Sequence, residues 1–174
     1  AWDQFYILKV IALGVYDAIS TFTKEVKIKW PNDIYVRDDK IAGILIENSI
    51  MGNSLKNSIA GIGINVNQED FLSDAPNPTS LKMVTGENID LDLLLRNVCK
   101  AIDIRYNALN NGYRSALTRD YKNALYRYCR WYDFTDAEGK FAGMIEDVTE
   151  SGLLVVRKKD GSLKEYAFKE VKYE

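Results

Sequence analysis

The sequence predicts an α+β protein: a main unit over residues 1–125 in which a β-sheet packs on helices, and a small all-β unit over residues 126–174. Three observations carry this. Apolar residues recur at helical spacing near the N-terminus and again after residue 90. Between Val26 and Val66 run β-prone segments divided by turn residues, and from Trp131 onward short strand-like runs alternate with turns at hairpin spacing.

Taken in order, Ile7, Val10, Ile11, Gly14, Val15, Ala18 and Ile19 line one helix from Asp3, a candidate N-cap, to about Ser20. "VKIKW", "DIYV" and "KIAGILIE" read as strands, the last two joined by the turn "RDD". "NSIMGNSLKN" reads as a polar connection containing Gly52, and "SIAGIGINV" as a strand inside a sheet covered on at least one side. "NQEDFLSDAPNPTS", with Pro76 and Pro78, has loop chemistry and the length of a lid. Ser80 opens a short helix. Asp90 caps a long one, with Leu93, Leu94, Val98, Ile102 and Leu109 on its apolar face, and "YRSALTRDYKNALYRY" continues as another. The runs 131–135, 139–149, 152–159 and 163–168 then read as a small SH3-like β-barrel.

Composition narrows the function. Lys+Arg 23 against Asp+Glu 25 gives a formal net charge of -2, which offers no footprint for nucleic acid. With no histidine, and with Cys99 and Cys129 far apart, a His/Cys metal site is not expected and a reducing, cytoplasmic setting is. No apolar run has membrane-spanning length. Phosphate-loop, GxSxG and HExxH patterns are absent from the sequence.

The polar groups of "KWPNDIYVRDDKIAG" are the candidates for chemistry. Proline biases Trp30 toward extended backbone, which sets Lys29, Asn32 and Asp33 at a strand end. Lys40 brings a flexible cation, and Gly43 lets a ligand approach the backbone. On spacing alone these are also the ordinary charges of a solvated turn. "GIGIN", Gly61 to Asn65, reads on the same terms as packing glycines or as a ligand approach.

In sequence order, "KWPND", "KIAGILIE", "GIGINVN", an acidic proline-bearing loop and "PTSL" resemble the central region of biotin protein ligases, and the terminal "DGSLKEYAFKEVKYE" resembles the end of that family's small C-terminal domain. The resemblance implies a mixed central β-sheet of the class II aminoacyl-tRNA synthetase/biotin ligase type. It also implies ATP and biotin as substrates, Mg²⁺, a biotinyl-5′-adenylate intermediate, and transfer to a lysine of a biotin carboxyl carrier protein or acetyl-CoA carboxylase subunit. By that likeness Lys40 contacts the biotin carboxylate and the adenylate phosphate, and Asp33 assists the incoming lysine. Gly43 and Gly61 approach the biotin, and Asn65 lies against adenine and phosphates. Trp30 packs under the biotin pocket, Lys29 braces the hairpin through Asp33, and Asn32 supports the same loop.

The departure from the family is at the front. Residues 1–28 contain nothing like the glycine- and arginine-rich loop that closes over the ligand, since the first arginine is Arg37. The catalytic unit is therefore expected to be N-terminally incomplete and this chain alone weakly active or inactive. The family's DNA-binding domain is likewise expected to be absent. Two other readings stay open at this point: a lipoate-protein ligase-like acyl transferase, and a non-catalytic module for carrier binding or homodimerisation through an exposed sheet edge.

Overall fold

A computed structural model describes residues 2–52, 54–72 and 77–174. Helix α1 (Trp2–Ile19) comes first, and its Val10, Leu13, Val15, Ala18 and Ile19 are buried. The side chain of Asp3, expected as its cap, lies outside the described residues. Helix α3 (Leu91–Asn110) is capped by Asp90, whose carboxylate accepts from the backbone of Asp92 and Leu93. It crosses α1 at Gly14, where an added Cβ would sit 2.5 Å from Ile102 Cγ1 and 2.9 Å from its backbone. Only a residue without a side chain lets the two helices approach so closely. Leu94 and Val98 face inward as expected, whereas Leu93 is exposed.

Strands β1 (Val26–Lys29), β2 (Asp33–Val36), β3 (Asp39–Met51) and β4 (Ser54–Ile64) form one sheet in that order. Its three pairings are all antiparallel, so the mixed central sheet is not seen among the described residues. Short hairpin links impose this, because parallel neighbours need a long crossover. Ile28, Ile34, Ala42 and Ile44 turn one face of the sheet into the core. Residues 48–51 and 54–57 are no loose connection but an extension of the β3–β4 ladder, in which Ser58 Oγ donates to Asn48 Oδ1 at 2.6 Å. Strand β4 lies at the sheet edge rather than inside it, and Ile59 is 66% exposed.

Thr79 and Asn77 bring the long loop back onto β3: Lys40 N donates to Asn77 O and Thr79 N to Lys40 O. Pro76 and the rest of the loop's middle, residues 73–76, lie outside the described residues. Ser80 caps the short helix α2 (Leu81–Thr85), as expected, by accepting from Met83 N. Helix α4 (Arg114–Ala124) stops before Tyr126, because Leu125 takes extended backbone and bridges to Ile28. The tyrosines beyond it are needed for packing elsewhere.

Strands β5 (Trp131–Asp136), β6 (Gly139–Val148), β7 (Leu154–Lys158), β8 (Leu163–Tyr166) and β9 (Lys172–Tyr173) make a second, five-stranded antiparallel sheet in the order β8-β7-β6-β5-β9. No helix among the described residues is long and apolar enough to cross a membrane.

Candidate active site

At the hairpin end of the first sheet, Lys40 Nζ lies 2.7 Å from Asp33 Oδ1, and each side chain is 28% exposed. A β-bulge makes this meeting possible. Asp33 pairs with Gly43 and Ile34 with Ala42, but Tyr35 pairs with Lys40, so Ile41 is the extra residue. Without that insertion Lys40 would alternate to the core face. With it, Lys40 shares the open face with Asp33 and Gly43 while Ile41 and Ala42 are both buried.

The same register lays bare backbone beside the ion pair. Gly43 pairs with Gly63 and Leu45 with Gly61, which puts three glycines and one leucine on one open face. A Cβ at Gly43 would lie 3.5 Å from Asp33 Oδ1 and 3.6 Å from Lys40 Nζ; at Gly63 it would meet nothing within 4 Å. Leu45 and Ile59 stand on this face 65% and 66% exposed. The result is a flat apolar floor ending at a lysine and a carboxylate, suited to a ligand with an apolar body and an anionic head.

The supporting residues divide by role. Asn32 binds the turn to β3: its side chain donates to Ile44 O at 2.5 Å, and its own carbonyl accepts from Ile44 N at 3.0 Å. Trp30 is a packing residue, buried, with its indole N–H donating to Gly152 O at 2.9 Å. Asn65 receives the returning loop, donating from its side chain to Thr79 O at 3.0 Å while its backbone N–H reaches Ile41 O. That brings Asn65 to the Lys40 end of β3, whereas Gly61 lies further along the floor opposite Leu45. Lys29 does brace the hairpin, but its hydrogen bond goes to Tyr35 Oη at 3.0 Å and not to Asp33. Asp33 is occupied by the nearer Lys40. Burial lowers the Lys29 pKa from the ordinary lysine value, with Asp33 opposing the shift.

A cleft of about 630 Å³ opens over this end of the sheet. Lys29 to Asp33 and Lys40 form one wall; Phe168, Lys169, Val171, Lys172 and Tyr173 form the other. The second wall was not anticipated from the sequence. Strand β9 is two residues long, too short for periodicity to reveal.

Comparison with known proteins agrees with this geometry. Residues 3–65 match the model of the Biotin/lipoate A/B protein ligase family. The chain is 29% identical over 172 residues to the bifunctional ligase/repressor BirA of Bacillus subtilis, covering 94% of this chain and 51% of that protein. It is 32% identical over 165 residues to the biotin--[acetyl-CoA-carboxylase] ligase of Paracoccus denitrificans, covering 85% and 65% respectively. It spans about half the length of the Bacillus relative. The structure of biotin protein ligase from Aquifex aeolicus in complex with biotin and ATP superposes with a TM-score of 0.77 at 25% identity, over 98% of this chain and 72% of that one. By the matched sheet and over most of its length, this chain is similar to the biotin protein ligases.

Proposed function

We propose that the protein is a biotin protein ligase that activates biotin with ATP to biotinyl-5′-adenylate and passes the acyl group to a lysine of a biotin carboxyl carrier protein. The observation that carries this is the Lys40–Asp33 pair at the end of an open glycine floor. In activation a biotin carboxylate oxygen attacks the α-phosphorus, a P–O bond forms and pyrophosphate leaves. Two anions must meet, so Lys40 is assigned to the carboxylate and the forming phosphate ester. The floor of Gly43, Gly61 and Gly63 takes the apolar body, and Asn65 holds the phosphate and adenine side. A Mg²⁺ ion accompanying the nucleotide would supply charge neutralisation for the phosphates. In this cleft Asp33 is committed to Lys40, so no residue is assigned to the metal.

In transfer, the carrier lysine attacks the acyl carbon, the C–N bond forms, the acyl C–O bond breaks and AMP leaves. An ordinary lysine, with a pKa of about 10.4, arrives protonated. Asp33 accepts its proton once Lys40 has turned to the ligand.

Residues 1–125 are read as the catalytic unit and 126–174 as a C-terminal unit whose five short strands suit an SH3-like barrel. A cytoplasmic location suits this enzyme class, and the exposed edge of β4 is where a second copy would pair in a homodimer. Biotin is preferred to lipoate because the Paracoccus relative is a biotin ligase and the Aquifex structure holds biotin and ATP.

Calorimetric titration with a non-hydrolysable biotinyl-adenylate analogue tests the reading. Binding by the wild type that Lys40→Ala weakens by on the order of 100-fold is expected; no binding by the wild type, or tighter binding of the lipoyl analogue, would overturn it.

A further inference from the structure

Lys29 sits in an aromatic cage that the ligase reading leaves unexplained. Its ammonium lies 4.6 Å from the Tyr35 ring centroid and 5.0 Å from that of Tyr173, and it donates to Tyr35 Oη. Tyr126 stands behind both rings, 5.4 Å from Tyr35 and 6.1 Å from Tyr173. Tyr173 comes from β9, more than a hundred residues away in sequence, and its buried hydroxyl has no hydrogen-bond partner among the described residues. The ring itself packs on Phe134, 5.2 Å between centroids, and carries its face to Lys29, so the ring and not the hydroxyl makes the contacts of Tyr173.

In the β1–β2 register Lys29 stands directly opposite Asp33, and both line the same cleft as Lys40. The charged groups acting on Lys29 are Asp33, Arg127 and Lys40, and the phenols of Tyr35 and Tyr173 lie against it. Lys40 cannot neutralise Asp33 and the adenylate phosphate together. When it turns to the ligand, Asp33 needs another cation.

Resting on the ligase reading, we propose that Lys29 and Tyr173 are positioning residues for acyl transfer: β9 closes the cage that keeps Lys29 near Asp33, unpaired with it at rest, as the cation left to Asp33 when Lys40 turns to the ligand. The cage sets where the ammonium lies, because rings attract a cation by their faces without offering it a carboxylate. Asp33 then stays a carboxylate facing the carrier amine, takes the proton released as the C–N bond forms, and passes it to solvent. The last strand of the chain thus acts on the second half-reaction and not the first.

The test uses the full-length protein and the variants Tyr173→Leu, Tyr173→Phe and Lys29→Met. Three quantities are measured: affinity for the adenylate analogue, the single-turnover rate of transfer from biotinyl-5′-adenylate to a carrier domain, and the titration of Lys29 followed by its ε-carbon resonance. The expectation is roughly a tenfold loss of transfer rate in Tyr173→Leu and Lys29→Met, as for loss of a positioned charge, with affinity held within about twofold. Tyr173→Phe keeps the ring and the wild-type rate. Lys29 should titrate below the ordinary lysine range in the wild type and Tyr173→Phe and move up in Tyr173→Leu, where water enters the cage. Wild-type transfer in both Tyr173→Leu and Lys29→Met, or equal losses of rate and affinity, would overturn the inference while leaving the ligase reading intact. A wild type that binds no adenylate would remove the reading itself, and the inference with it.

Discussion

The two sheets use the same residue types to opposite ends. In the second sheet Asp136, 2% exposed, accepts from Tyr166 Oη at 2.7 Å, Lys164 Nζ at 3.0 Å and Glu138 N at 2.9 Å, with Lys158 Nζ at 3.5 Å. In the first, Asp33 has one ion-pair partner among the described residues, Lys40, and stands beside a glycine on an open face. A carboxylate held from several sides cannot exchange partners without breaking a network. One held by a single flexible lysine can, and the exchange is what catalysis would require.

This contrast is broken most severely at Lys40. Lys40→Ala should weaken binding of the biotinyl-adenylate analogue by on the order of 100-fold, the cost of removing a charge-assisted contact to an anion. Thermal stability should change little, since the pair is part-exposed. Calorimetry and a melting curve on the same sample check both. Next in size is Gly43→Val. Its Cβ would fall 3.5 Å from Asp33 Oδ1 and its methyl groups would crowd the ion pair, so affinity should fall roughly tenfold. Gly63→Ala, whose new Cβ meets no protein atom within 4 Å, leaves the ion pair untouched and should cost less affinity than Gly43→Val, by intruding on the floor alone.

At Asp136 the expected effect moves from binding to stability. The Tyr166 hydroxyl and the Lys164 ammonium hold the Asp136 carboxyl well below the usual carboxylate range. A folded-state pKa below the unfolded one stabilises the fold above the unfolded value, about 3.9, and that stabilisation is lost as pH falls from there toward the folded value. Asp136→Asn should lower Tm by roughly 5 °C at pH 7 and flatten the acid limb of Tm against pH. Affinity for the adenylate analogue should be unchanged.

What could be read from the sequence follows the range of the forces involved. Helix α1, the capped α3 and the hairpin strands were legible because their signals are local: spacing, a cap and a turn. The family likeness of "KWPND" and "KIAG" also singled out Lys40 and Asp33. The bulge at Ile41 was not legible, although it is what brings the two together, because a one-residue register shift leaves no mark on composition. The 48–57 stretch was misread for a related reason. A ladder solvated on both faces has polar sequence and no alternation. Nor could "LYRYCR" show that its helix would end at Ala124, since Tyr126 is claimed by packing against Tyr35 and Tyr173, both remote in sequence.

The smallest expected effect separates the two faces of the first sheet. Ile44 and Leu45 are neighbours in β3, one 3% and the other 65% exposed. Ile44 earns its place by filling the core, but Leu45 contributes almost nothing to it, and an exposed large apolar side chain on a flat floor calls for another reason. If that reason is the body of the ligand, Leu45→Ser should leave the unfolding free energy within about 0.5 kcal/mol of wild type. It should still weaken the adenylate analogue about threefold, by removing part of the apolar area that binding buries. Denaturant melts and calorimetry decide between the outcomes. Unchanged affinity would mean that the ligand keeps to the glycine strip beside Lys40, and that Leu45 and Ile59 belong to a surface for something larger.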